Sequence, residues 1–340
     1  MKTNVLRVLR RVVLVAVVPM VLLGLGYLAK AQDPKKTGAN LPPLTATTIP
    51  PNNPLQVAIL HWYPANQTTS FAVGTNPFGV AFDGANIWVA NTTSSNVTKL
   101  RASDGSNLGT FPVGTQPFQL AFDGANIWVT NYGTNNVTKL RASDGTVLGT
   151  FAVGSGPNFV AFDGANIWVA NNLSNNVTKL QASDGSNLGT FTVGTNPVGV
   201  AFDGANIWVA NTNSSNVTKL RASDGTVLGT FTVGSGPLGV AFDGANIWVT
   251  NQVSNTVTKL KASTGSTLGT FTVGSGPAGV AFDGANIWVA NESSVNVTKL
   301  NANTGSVLGT FTVGTTPYGV AFDGANIWVA NVISSTVSKL

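Results

Sequence analysis

The sequence predicts an all-β chain: a seven-bladed β-propeller of 40-residue, four-stranded repeats, with an N-terminal strand completing the last blade and closing the ring. Three observations carry this. The unit AFDGANIWV occurs seven times, beginning at Ala81, Ala121, Ala161, Ala201, Ala241, Ala281 and Ala321, always 40 residues apart. A fixed period of that length marks an array of one supersecondary unit, which buries its apolar surface only against its neighbours. Each unit divides into four short apolar segments separated by turn signals, the pattern of a propeller blade. Finally, the chain stops after the third segment of the seventh unit, while a spare fourth segment, Thr69 to Gly74, precedes the first. A linear stack would instead need atypical polar caps at its ends.

In chain order, Lys2, Arg7, Arg10 and Arg11 form a positive head, and Val12 to Ala29 is almost wholly apolar. Ala29-Lys30-Ala31 then gives the small-x-small pattern of a signal-peptidase site. Residues 1–31 read as a signal peptide, with an uncleaved membrane anchor as the alternative. Either reading puts the body outside the cytoplasm (periplasmic, secreted or at the cell surface). Residues 32–66 are rich in Pro, Thr and Asn and read as a linker. The spacing of Leu55, Ala58, Ile59 and Trp62 suits a short helix near 55–62, or else a strand. The propeller is expected over 67–340.

In the first repeat, Gly79 to Phe82 is a short apolar strand ending at Asp83-Gly84, a strong turn signal. Asn86 to Asn91 follows, β-branched and aromatic, then a polar loop and the strand Asn96 to Arg101. Ser103 to Ser106 makes a second turn before the fourth strand, Leu108 to Val113. Ile87 and Val89 fall on one face of the second strand and Trp88 and Ala90 on the other. A sheet with one face in water would alternate more cleanly, so both faces are expected to be covered by neighbouring blades.

Composition narrows the function classes. Lys2, Arg7, Arg10, Arg11 and Lys30 account for the formal excess of +5, and the remainder is neutral. A neutral body without a basic stripe is a poor phosphate-binding surface, which argues against nucleic acid. The absence of cysteine leaves no disulfide and no thiol nucleophile.

The run Ile87-Trp88-Val89-Ala90-Asn91, followed by Ser95-Asn96-Val97-Thr98, resembles the YVTN-type β-propeller repeat across all seven units. More distant relatives of that family are the streptogramin lyases. The resemblance to them implies a metal-assisted elimination using histidines and a glutamate on one propeller face. This chain departs from that pattern: its only histidine, His61, precedes the repeats, and its only glutamate is Glu292.

Other recurring residues have plainer readings. Asp83 and its six equivalents fit hairpin turns rather than a metal ring. Trp88 and its equivalents fit packing between blades rather than sugar stacking. Lys99 and its equivalents are expected to lay their stems on the sheet with their heads in water. No catalytic residue, metal site or cofactor is expected.

Variation among the copies concentrates in two loops, between strands two and three and around the Pro before strand one. Both are expected on one face, and loops on a rigid scaffold are where function tends to sit. The candidate site is therefore a mixed aromatic-polar patch of Phe118, Gln119, Tyr132, Asn158, Phe159 and Leu173, extended by Phe78 and Tyr318. The function expected is that of a monomeric, exported, non-enzymatic scaffold. Its loop face would bind a protein, a glycan or an envelope component, and the membrane would be met only through an uncleaved N-terminal segment. The alternatives are a lyase or hydrolase of the streptogramin-lyase type with an atypical site, and a structural surface-layer protein.

Overall fold

The computed structural model describes residues 69–340. The expected signal peptide or anchor (1–31), the linker (32–66) with its helix near 55–62, and His61 lie outside the described residues. Among the described residues no helix is long and apolar enough to cross a membrane.

After β1 (Thr69–Ala72), the first blade consists of β2 (Pro77–Phe82), β3 (Asn86–Asn91), β4 (Asn96–Arg101) and β5 (Asn107–Pro112). Seven four-stranded antiparallel sheets are formed in this way. Asp83 sets the first turn: its Oδ1 accepts the backbone N–H groups of Ala85 at 2.9 Å and Asn86 at 2.6 Å. The Asp side chain thus substitutes for a backbone acceptor where the strand reverses. At the second turn Gly105 has φ +74, and a Cβ there would lie 2.0 Å from the Phe71 ring. Glycine is required there by both the backbone and the neighbour.

The first strand of each blade touches the first strands of both adjacent blades, so these strands line the ring axis. The core lies between blades. Ile87, Trp88, Val89 and Ala90 are all 0% exposed. Trp88 packs with Leu120, Ile127, Val129 and Leu140 of the next blade, and Trp328 packs with Val80, Ile87, Val89 and Leu100 of the first. An indole buries on the order of 200 Å² of largely apolar surface, worth up to about 5 kcal/mol per blade contact.

The lysines correct the expectation of solvated heads. Lys99 is buried, its Nζ 2.6 Å from the Ala142 carbonyl and 3.1 Å from that of Ser143, both in the next blade. The same Nζ stands 5.0 Å from the centre of the Trp88 ring. Charge-assisted hydrogen bonds and the ring's negative face together offset the burial of the ammonium. Equivalent bonds come from Lys139, Lys179, Lys219 and Lys259. Lys339 reaches Ala102 and Ser103 of the first blade.

The seventh sheet contains Pro317–Phe322, Ile327–Asn331, Thr336–Lys339 and β1. β1 runs antiparallel to Thr336–Lys339, with Thr69 opposite Lys339 and Phe71 opposite Val337. Phe71 also stacks on Trp328 at 5.5 Å.

Candidate functional site

The two variable loops open on the same face. Within a blade they are tied together, the N–H of Thr92 donating to the Asn76 carbonyl at 2.9 Å and that of Thr93 to Thr75 at 3.3 Å. The Asp-Gly turns occupy the other face. Every aspartate among the described residues sits at a position equivalent to Asp83 or Asp104, and every lysine and arginine at one equivalent to Lys99 or Arg101. Those positions lie at or against the turn face. Among the described residues the loop face therefore carries one charged side chain, Glu292.

At its centre is an apolar plug. Phe78, Phe118, Phe159, Val198, Leu238, Ala278, Tyr318 and Val332 form one cluster fed by the first strands of all seven blades, which places it on the ring axis. Phe78 stacks on Phe118 at 4.7 Å, and Tyr318 meets Phe78 and Phe118 edge-on at 4.9 and 5.7 Å. The glycine just inside this ring in five blades is a packing requirement. A Cβ on Gly199 would lie 2.0 Å from the Leu238 carbonyl oxygen, and one on Gly319 would lie 2.2 Å from that of Phe78. Gln119 and Phe159 occupy that position in the other two blades.

The eight residues expected in a patch separate into three environments. Phe78, Phe118, Phe159 and Tyr318 come together in the plug. Tyr132 faces Phe78 and Phe118 across a pocket of about 200 Å³ that is also lined by Thr92 and Gln116. Leu173, 63% exposed, lies beside Tyr132 across Gly156. Gln119 and Asn158 are buried within the blades. Gln119 accepts the Leu120 N–H through its own Oε1, and the Asn158 Oδ1 has no partner among the described residues.

Glu292 and Gln252 are the residues the patch missed. Gln252 donates through Nε2 to a Glu292 oxygen at 2.8 Å. Both immediately follow the Asn that ends strand two, in register with Thr92, Tyr132, Asn172, Thr212 and Val332. Aligning that one column would have shown Glu292 on the same rim as Tyr132. Burial pushes the Tyr318 hydroxyl well above the usual phenol range, and the negative charge of Glu292 adds to the effect. The Glu292 loop also holds Val295 at φ +55, where the other blades carry Asn or Ser. A β-branched residue in the left-handed region is strained, and such strain concentrates at functional sites.

On the turn face, a cleft of about 360 Å³ is lined by residues that include Asp243, Asn246 and Asn301. The Asp243 carboxylate is already committed, accepting from the backbones of Ala245 and Asn246 and from the Trp248 indole.

The fold is that of a seven-bladed β-propeller. Solved structures of similar shape include a catalytically inactive histidine-to-alanine variant of virginiamycin B lyase from Staphylococcus aureus with quinupristin. It is 16% identical with a TM-score of 0.69, the match covering 80% of this chain and 98% of that one. A streptogramin B lyase structure is 17% identical, with a TM-score of 0.69 and coverage of 80% and 96%. Hydrazine synthase of Kuenenia stuttgartiensis is 18% identical, with a TM-score of 0.70 and coverage of 79% and 97%. No family model matches the sequence, and no curated protein does.

These neighbours overturn the non-enzymatic expectation. That reading rested on the lack of a blade histidine, yet solved structures of this shape include streptogramin lyases and a hydrazine synthase. At this identity the likeness shows the fold and assigns no reaction. The divalent metal implied by the lyase resemblance does not fit the loop face, where among the described residues a single carboxylate stands beside an amide and no histidine joins it. No group of three His, Cys, Asp or Glu side chains converges among the described residues.

Proposed function

We propose that the chain is an exported lyase with an atypical site at the loop-face end of the ring axis, using Glu292 as the proton-transfer group. The supporting observation is that Glu292 is the one charged side chain of that face among the described residues, held by Gln252, and that its charge adds to the burial that pushes the Tyr318 hydroxyl up. Pairing a base with a neutral donor is how one site handles both sides of a proton transfer.

In the proposed elimination the Glu292 carboxylate takes a proton from the carbon next to a carbonyl. The C–H electron pair becomes the new C=C bond, and the bond to the leaving oxygen breaks with its own pair. Tyr318 donates a hydrogen bond to the charge that builds on the carbonyl oxygen. We read the repeat as YVTN-type and the protein as a monomer. Its exported location, supported by the basic head and apolar run at 1–31, makes a peptide, a glycan or an envelope component the available substrate source.

The test is turnover on quinupristin and on a panel of β-acyloxy esters and amides, which carry the carbonyl-adjacent proton and the leaving oxygen that the step requires, comparing the protein with Glu292→Gln. General acid–base catalysis contributes roughly 10²–10⁴-fold, so the variant should lose at least about 100-fold. No turnover of any compound, or equal turnover by the variant, would overturn the proposal.

A further inference from the structure

The seven blades provide an internal control for binding. Each has a residue after its Pro that faces the axis, a residue after its strand-two Asn on the loop rim, and a residue before its Pro in the connecting loop. The pocket between the first two blades is the place where these three positions all carry large side chains: Phe78 and Phe118 at the axis, Tyr132 at the rim and Gln116 in the loop, with Thr92 closing one wall. The connecting-loop position is Gly156, Gly236 and Gly276 in three other blades. Gln116 holds that place at φ +52, a left-handed backbone that glycine adopts without cost. Asn76, Asn196 and Thr316 hold the same left-handed place in the first, fourth and seventh blades.

We propose that this pocket binds the neutral aromatic ring of a small molecule carrying one hydrogen-bonding substituent. The proposal deepens the enzymatic reading by naming the substrate's chemical class, and it concerns binding alone. Size supports a single ring: an apolar cavity of about 150 Å³ holds a benzene, and this one measures about 200 Å³. Shape supports a flat ligand. Phe78 and Phe118 stack on one another and are each partly exposed, leaving an aromatic face open to the pocket, with the Tyr132 ring beside it. Charge supports neutrality, because among the described residues no lysine or arginine stands on this face to hold an anion, and its one carboxylate, Glu292, is on the sixth blade. The Gln116 amide and the Tyr132 hydroxyl supply a donor and an acceptor at the rim for the substituent.

The experiment titrates the full chain with 4-ethylphenol and with 4-ethylcyclohexanol, which matches it in size without the π-face, using ligand-observed NMR. Tyr132→Thr gives the second blade the rim residue of the first and fourth, Thr92 and Thr212, so it keeps the fold. Gln116→Gly gives the second blade the loop residue of the third, fifth and sixth. The proposal expects saturable binding of 4-ethylphenol that is at least threefold tighter than that of the cyclohexanol. Tyr132→Thr should weaken it roughly fivefold to tenfold, the scale of one aromatic contact. Gln116→Gly should weaken it about threefold while leaving the melting temperature equal or higher. Absence of saturable binding, equal affinity for the two compounds, or unchanged affinity in Tyr132→Thr would each overturn the proposal. None of these outcomes depends on turnover. A failed pocket with intact Glu292-dependent catalysis, or the reverse, would separate the two claims.

Discussion

The two faces of the ring obey different rules. On the turn face the copies are nearly identical, and the aspartates and most of the lysines have structural partners. Asp83 holds its own turn and the Trp88 indole, accepting from Nε1 at 2.7 Å, while Lys99 ties the first blade to the second. On the loop face the copies diverge, one charged side chain stands among neutral groups of the described residues, and Val295 holds a left-handed place that the other copies give to Asn or Ser. Where seven copies agree, the residue serves the repeat. Where one copy breaks from the others at a structural cost, it serves something the repeat does not need.

The largest effect that sharpens this contrast should come from the shared core. Trp328→Ala removes the indole that packs on the first blade and on Phe71, and should cost about 3–5 kcal/mol. Calorimetry should show a fall of roughly ten degrees in melting temperature. Next, Lys339→Met leaves the Ala102 and Ser103 carbonyls at the closing seam without their donor. Lost charge-assisted bonds of this kind cost roughly 1–3 kcal/mol, so chemical denaturation should report a reduced midpoint with an unchanged slope.

Acid should act on the turn face too. Burial pushes the Asp83 carboxyl up, but hydrogen bonds from Trp88, Asn86 and the Ala85 and Asn86 backbones outweigh it and leave the group below its usual value of 3.8. The six equivalents of Asp83 are lowered in the same way. Asp104, Asp144 and Asp224 are lowered to about 2, mainly by the backbone N–H two residues on. Groups lowered on folding stabilise above their unfolded value and lose that contribution as pH falls through the folded one. The melting temperature should therefore be nearly flat from pH 7 to 5 and fall as pH drops below about 4.

The smallest effect should come from the loop face, and with the opposite sign. Val295→Asn places the residue of the second, third and fifth blades (Asn135, Asn175, Asn255) in the left-handed position. It should raise stability by about 1 kcal/mol. A loss of stability there would break the contrast, since it would make the Val295 loop a structural element like the turns.

How much the sequence discloses follows the same division. Period, turn chemistry and the two-sided apolar strands repeat seven times, and what repeats can be read. The spare segment at Thr69 and the missing fourth strand of the last unit were legible for the same reason. Lys99 was misread because its partners are backbone carbonyls of the neighbouring blade, which leave no signature in side-chain identity. Phe78, Phe118, Phe159 and Tyr318 stood out as variable, but sequence spacing does not say that seven inner strands converge on one axis and bury them together. Glu292 is visible as the only glutamate, but the lyase resemblance sets it against a histidine pattern rather than against its own column. Its pairing with Gln252, 40 residues earlier, became evident only once the blades were placed side by side.

The most direct test of the central claim sets Glu292→Gln against Asp283→Asn, two acidic residues of one blade on opposite faces. Turnover and melting temperature would be measured on both. The account predicts that Glu292→Gln loses turnover by at least about 100-fold and keeps its melting temperature, while Asp283→Asn melts lower and turns over normally at a temperature where it remains folded. Loss of turnover in Asp283→Asn with none in Glu292→Gln would place the chemistry on the other face and contradict the account.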